Sequence, residues 1–260
     1  MPEAGGLYYE EHGRADAPPL ILSSGLGGSA SYWAPNLPAL TEHFRVIGYD
    51  HRGTGRSDRA LPETVSIDSM ADDVLALLGT LGIAPHYAHF VGHAIGGLIG
   101  LEIALRKGLR KLIIVNGWSE IDPHTERCFD ARLALLHSVG PEAFVRAQPI
   151  FLFPANWIAA NENLLAHEAE AQLAHFPGIA TVEKRIAAAR GFELWLDMPD
   201  ADVLVLAAED DVLVPSLRSQ KLVDDLCGIP ALAKMPWGGH ACNVTDPDTF
   251  NRIVLDFLRS

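Results

Sequence analysis

Five short apolar runs punctuate the chain: Leu20 to Gly25, Arg45 to Asp50, Tyr87 to Gly92, Lys111 to Gly117 and Val203 to Ala208. Each runs into glycine or an acidic turn, and stretches with helical periodicity lie between them. Strands that read as continuous apolar runs are buried on both faces, and a helix between two such strands brings the second in parallel to the first. The pattern therefore specifies an α/β fold, a mainly parallel sheet flanked by helices. Ile67 to Leu81 is one such helix, with Ile67, Met70, Val74, Leu77, Leu78 and Leu81 on one stripe and Asp68, Asp72 and Asp73 toward its N-terminal end. Thr249 to Leu258 is the last, with Phe250, Ile253, Val254 and Phe257 at helical spacing after Asp246-Pro247-Asp248.

The alternation fails between Ser119 and Pro199, a stretch rich in Ala, Leu, Glu and His that reads as several helices with no strand. It is too long for a plain connection. It enters after one sheet strand and leaves before the next, at the edge where their C-terminal ends point, which is where open α/β sheets bind ligands. The expected organisation is a core of residues 1–118 and 200–260 with a helical cap insertion at 119–199.

A formal charge of −13 with no Lys or Arg run disfavours nucleic acid and anionic membrane surfaces as partners. No segment approaches the ~18 to 20 apolar residues of a membrane span, and no basic region followed by an apolar stretch opens the chain. A soluble, cytoplasmic protein is expected. Cys128, Cys227 and Cys242 are odd in number and widely spaced, so they read as reduced thiols rather than disulfides or a zinc site. No metal and no cofactor are expected. The expected partner is a small-molecule substrate, with a homodimer left open.

Residues 92 to 96 read Gly92-His93-Ala94-Ile95-Gly96. This is the frame of the nucleophile elbow, G-x-S-x-G, with Ala94 where the motif has its serine. An elbow holds one side chain on a sharp strand-to-helix turn, and its glycines let the two elements pack without Cβ clashes. Here the turn presents a methyl group.

Four other segments stand in register with that elbow. Ser23-Ser24-Gly25-Leu26-Gly27-Gly28-Ser29 follows the first apolar run, and Asp50-His51-Arg52-Gly53-Thr54-Gly55-Arg56-Ser57 follows the second. Glu209-Asp210-Asp211-Val212-Leu213-Val214-Pro215 follows the fifth, and Met235-Pro236-Trp237-Gly238-Gly239-His240 lies near the C-terminus. Together they resemble the α/β-hydrolase superfamily, whose catalytic groups run in the order nucleophile, acid, histidine. The resemblance implies an α/β-hydrolase fold across roughly the whole chain. It implies Asp211 as the acid, from its spacing to Pro215, with Ala208 replacing the glycine of the family's turn. Glu209 and Asp210 remain as solvated turn residues, or as substitutes if the register shifts by one.

The same resemblance implies His240 as the base, its tautomer fixed by Asp211. It puts one backbone oxyanion donor at Leu26, in a loop that departs from the family by carrying Ser24 where histidine is usual, and the second at Ile95 of the elbow. A glycine-rich loop can also cradle phosphate, but no G-x-x-x-x-G-K-[ST] follows. The Asp50 to Ser57 turn matches the family's D-x-R-G-x-G-x-S, which is structural. His93 is expected to pack the elbow rather than act as a base.

A narrower resemblance rests on Ser24 to Gly28 with Ser31-Tyr32-Trp33, the elbow, Val115-Asn116-Gly117-Trp118, and Gly238 to Asp246. His124 to Phe129 and Ala147 to Leu152 agree with it. These segments look like the hydrolase-like family of bacterial pyrimidine (uracil) utilisation, in which alanine at the elbow belongs to the pattern. This resemblance implies disposal of small ring-opening products, by hydrolysis of carbamate or of aminoacrylate to malonic semialdehyde and ammonia.

Without a serine, the expected chemistry is non-covalent: a water polarised by His240, with the Leu26 and Ile95 amides facing the developing charge. A metabolite-binding pseudoenzyme and a serine esterase inactivated at Ala94 are the alternatives. Cys242 and Ser24 are substitute nucleophiles off the elbow tip. Ser24, Trp118, Phe151 and Trp157, with Phe153, are candidates to line the pocket, against packing within the cap as the competing role.

Overall fold

A computed structural model describes residues 3–194, 198–228 and 230–260, so residues 195–197 of the predicted insertion lie outside the described residues. The strands are β1 (Glu3–Ala4), β2 (Leu7–His12), β3 (Pro19–Ser23), β4 (Arg45–Tyr49), β5 (His89–His93), β6 (Lys111–Val115), β7 (Asp202–Ala208) and β8 (Ala231–Met235). The α-helices are α1 (Leu37–Thr41), α2 (Ile67–Thr80), α3 (Ile95–Lys107), α4 (Pro123–Ser138), α5 (Pro141–Leu152), α6 (Ala155–Ala160), α7 (Glu162–Ala174), α8 (Ile179–Arg190), α9 (Ser216–Asp225), α10 (Cys242–Thr245) and α11 (Pro247–Arg259). They surround one sheet of order β1-β2-β4-β3-β5-β6-β7-β8. Strands β4, β3, β5, β6, β7 and β8 run parallel, while β1 and β2 form an antiparallel margin.

The five apolar runs are the five central strands, and alternate residues serve the two faces. Ile21, Ile47, Phe90, Leu112, Ile114 and Val205 join α2, α3 and the insertion's apolar residues in one core. Leu20, Leu22, Val46, Val91, Ile113, Val115, Leu204 and Leu206 join Leu40 of α1 and Phe250 and Val254 of α11 in the other. Three strands escape the apolar-run criterion for a physical reason. Leu7–His12 is an antiparallel strand near the margin, buried at one end only, and Ala231–Met235 is an edge strand with only Met235 buried. Such strands carry polar residues on their solvated face, and the two-residue β1 is too short for any periodicity.

Helix α2 ends within a residue of its predicted limit and opens on a capping box, in which Ser66 and Ser69 side chains each accept the other's backbone N–H. Helix α11 begins two residues earlier than expected, at Pro247, with the Asp246 carboxylate accepting the Thr249 N–H. Its most buried residues are Phe250, Asn251, Val254 and Leu258, while Ile253 and Phe257 are half-buried at the border. Five helices, α4 to α8, lie between the adjacent parallel strands β6 and β7, with no strand among the described residues of that stretch. Among the described residues no helix is long and apolar enough to cross a membrane.

Candidate active site

Strand β5 ends at His93 and helix α3 begins at Ile95, so Ala94 alone makes the turn. It does so at φ 49° and ψ −116°, a region that disfavours any residue with a Cβ. The Ala94 N–H donates to Val115 O at 2.8 Å, which ties the turn to β6. The flanking glycines are steric requirements. A Cβ on Gly92 would lie 2.2 Å from Gly96 O, and one on Gly96 would lie 2.2 Å from Ser23 O. The elbow thus has its full geometry and carries a methyl group at its tip.

The acid turn and the histidine loop meet beside it. His240 Nδ1–H donates to Asp211 Oδ2 at 2.7 Å, with both side chains buried. The other Asp211 oxygen accepts the N–H groups of Leu213 and Val214 at 2.8 and 2.9 Å. Three donors therefore hold one carboxylate, and with Nδ1 carrying the proton the His240 lone pair is left on Nε2, the arrangement of a general base. Asp210 instead accepts the Gly239 N–H at 2.8 Å, and Glu209 is exposed.

His93 packs at the elbow and also holds the loop. Its Nε2–H donates to His240 O at 2.8 Å, its ring stacks on Tyr32, and it lies 4.5 Å from the His240 ring centre. Burial, and then the nearby His240 charge, hold His93 well below the usual histidine range, so it stays neutral beside His240. Below it, Tyr32 OH donates to Asn243 Oδ1, Asn243 Nδ2 to Asn36 Oδ1, and Asn36 Nδ2 to Asn251 Oδ1. This buried chain locks α10, which follows His240 directly.

Asn116 is a positioning residue that motif reading did not single out. It adopts φ 49° at the end of β6. Its Nδ2 donates to His240 O at 2.8 Å while its Oδ1 accepts Ala208 N–H at 2.9 Å, so one side chain ties the histidine loop to β7.

The loop of residues 23–29, which carries Leu26, is pinned from the insertion. Arg185 of α8 is buried, and its Nε donates to Leu26 O and its Nη2 to Gly25 O, each at 3.0 Å. Nη2 also donates to His51 Nδ1 at 2.9 Å, on the turn after β4. Gly28 N–H closes a turn onto Gly25 O, leaving the Leu26 N–H outside that bond. Ile95 is the first residue of α3, and its N–H has no acceptor within the helix. In the turn after β4, Arg56 pairs with Asp50 and Arg52 with Asp73 of α2.

Neither substitute nucleophile is activated. Burial pushes the Cys242 thiol up to about 12, so it holds its proton at neutral pH. Ser24 Oγ is buried with no hydrogen-bond partner, and hence no base. Among the other candidates, Trp118 is buried with Nε1 unpartnered, and Phe151 lies 5.6 Å from the Arg132 guanidinium carbon. Trp157 stacks on Phe153 at 4.5 Å.

Comparison with known proteins agrees with this frame. The family described as alpha/beta hydrolase fold matches residues 18–142. A relative from Agrobacterium fabrum named "Putative carbamate hydrolase RutD" is 46% identical, over 97% of this chain and 98% of its own length. One of the same name from Variovorax paradoxus is 50% identical, over 97% of this chain and 96% of its own. A solved hydrolase from Pseudomonas aeruginosa aligns with a TM-score of 0.86 at 28% identity, covering 98% of this chain and 94% of that one. Family-length similarity at this level, on a sheet and elbow of this geometry, makes the chain a member of the RutD family of α/β-hydrolase-fold proteins.

Proposed function

We propose that the protein hydrolyses carbamate in bacterial pyrimidine (uracil) utilisation, by attack of water and without a covalent intermediate. The observation that carries this reading is the intact, buried Asp211–His240 pair beside an elbow tip with no nucleophile. In the proposed step His240 Nε2 takes a proton from water as its oxygen bonds the carbamate carbon. The Leu26 and Ile95 amides stabilise the oxyanion. Collapse then breaks the C–N bond, the proton passes to nitrogen, and bicarbonate and ammonia leave. Residues 119–199 serve as a helical cap over a core of 1–118 and 200–260. Ser24, Trp118, Phe151 and Trp157 stay candidates for the pocket wall. The three free thiols suit a cytoplasmic setting.

Magnitude supports the reading. Removing the serine of a working triad costs about a millionfold, while binding and an oxyanion hole leave roughly 10³ to 10⁴ over water. Such a residue of catalysis matters for a reaction that proceeds unaided, and carbamate breakdown and enamine hydrolysis both do. A tip free of any role would relax its strain with glycine, whereas alanine keeps the turn and removes only a hydroxyl.

The test follows ammonia release from carbamate and from aminoacrylate, each with and without protein, alongside an ester assay of Ala94→Ser. Faster carbamate loss with the wild type, and little ester activity in the variant, supports the reading. Acceleration of aminoacrylate alone moves the substrate to the enamine. No acceleration of either indicates a binding protein, and a large gain of ester hydrolysis indicates a disabled serine esterase.

A further inference from the structure

The chain carries 33 acidic residues against 20 basic ones, so a cation in its interior has carboxylates to choose from. Arg45, Arg52, Arg56, Arg106, Arg190 and Arg218 all pair with one. Among the described residues the buried exceptions are Lys111, whose Nζ donates to Phe257 O and to Ser260 oxygens, and the arginines Arg132 and Arg185. Arg185 makes three bonds, to two carbonyls and an imidazole, although its Nη1 has no partner. Arg132, 3% exposed, is less fully satisfied. Its Nη2 donates to Gln148 Oε1, Gln148 is itself held by Phe144 O, and Arg132 Nε has no acceptor. Around it stand the rings of Phe129, Phe144 and Phe151, 5.6 to 5.7 Å from the guanidinium carbon. Burial brings Arg132 down to about 10, which still leaves it charged at neutral pH.

Burying a guanidinium on one neutral acceptor and three rings is costly unless an anion completes it. Its position says which anion. Arg132 lies on the inward stripe of α4, with Thr125, Phe129 and Leu136. One turn and two turns earlier on that helix, Cys128 Sγ touches Val212 O and Thr125 Oγ1 donates to Leu213 O, the two residues after Asp211. Across from it, α5 carries Gln148, Phe144 and Phe151, and Leu152 O accepts the N–H of Ala241, the residue after His240. The α4–α5 pair that encloses Arg132 therefore sits directly on both the acid turn and the histidine loop.

Resting on the hydrolase reading above, we infer that Arg132 anchors the substrate's carboxylate and restricts the site to small carboxylate anions. A planar guanidinium pairs with a carboxylate in two parallel hydrogen bonds, and the three rings keep water from competing. Carbamate and aminoacrylate both carry the required group, whereas their neutral amides and esters do not.

The probes are propionate and its neutral isostere propionamide, titrated by ligand-observed NMR into wild type, Arg132→Met, Arg132→Lys and His240→Ala. The wild type is expected to prefer propionate at least 10-fold, and His240→Ala to keep that preference. Arg132→Met is expected to bring the ratio to about one, and Arg132→Lys, which keeps the charge without the fork, to an intermediate value. Circular dichroism checks that each variant is folded; should the Met variant not fold, the Lys variant still decides. Equal binding of the two probes by wild type, or full preference in either folded Arg132 variant, overturns the inference. Loss of the preference in His240→Ala overturns it too, by assigning the anion to a protonated histidine. A preference that behaves as expected in a protein that accelerates neither carbamate nor aminoacrylate loss leaves the anchor standing and removes the proposed function.

Discussion

Replacing Asn116 tests whether a single side chain holds the histidine loop in place. Its Oδ1 is the acceptor for the buried Ala208 N–H, and its Nδ2 shares His240 O with His93 Nε2. Truncation to alanine orphans the Ala208 amide at about 1–3 kcal/mol, while His240 O keeps its second donor and loses little. Asparagine already carries a Cβ at φ 49°, and alanine, which lacks its local side-chain hydrogen bonding, adds at most about 1 kcal/mol, for a total of roughly 1–4 kcal/mol. Glycine removes the φ penalty but orphans the same amide, and it adds about 0.4–1 kcal/mol of unfolded-chain entropy. The two variants should therefore fall within about 1 kcal/mol of each other, both well below wild type. Urea denaturation with linear extrapolation reads these differences. If Asn116→Gly is as stable as wild type, the residue serves only its backbone conformation and the argument for the bridging amide is wrong.

Three further outcomes follow from the same geometry. His93 stays neutral in the folded protein at pH values where an unfolded histidine, near 6.5, takes a proton, so the stability present above that pH is lost as pH falls below it. Denaturation between pH 7.5 and 5.5 should show a slope shallower by up to about 1.4 kcal/mol per pH unit in His93→Gln, and equal slopes would contradict the assignment. Thiol labelling of the native protein should reach exposed Cys227 first and half-buried Cys128 next, and should leave Cys242 intact until unfolding; simultaneous labelling of all three would count against the buried, protonated Cys242. In Gly96→Ala the new Cβ would lie 2.2 Å from Ser23 O and 2.6 Å from Ser24 O, both backbone, so a loss of about 3 kcal/mol or more is expected in the same urea assay. A loss below 1 kcal/mol would mean the elbow tolerates a wider turn.

What could be read from the chain was local. The elbow glycines act on atoms within a few residues or on the adjacent strand, and the Asp211 turn and His240 loop are short motifs following strands with clear apolar signatures. Strands β2 and β8 were invisible because LYYEEH and ALAKM are half-solvated and never form a continuous apolar run. Asn116 belongs to a segment that resembles the family but carries no motif of its own. Its role depends on a positive φ and on partners 92 and 124 residues away, which no periodicity encodes. Arg132 and Arg185 did leave a trace. Thr125, Phe129, Arg132 and Leu136 form one helical stripe, as do Val182, Arg185, Ile186 and Ala189, and an arginine at an inward position of such a stripe marks a buried cation in need of an acceptor. The residue types were visible, but whether carbonyls, rings or a ligand answered them was a tertiary matter.

Central to the proposed chemistry is that His240 drives a reaction with water at an elbow tip that has no nucleophile. The direct measurement is the rate of ammonia release from carbamate with equal concentrations of wild type and His240→Ala, each referred to buffer, with intact-protein mass spectra taken during turnover. The wild type is predicted to exceed buffer by a factor of up to roughly 10³ to 10⁴. His240→Ala should fall back toward the buffer rate, and neither protein should gain mass. Undiminished turnover in His240→Ala, or a covalent adduct on the wild type, would contradict the mechanism.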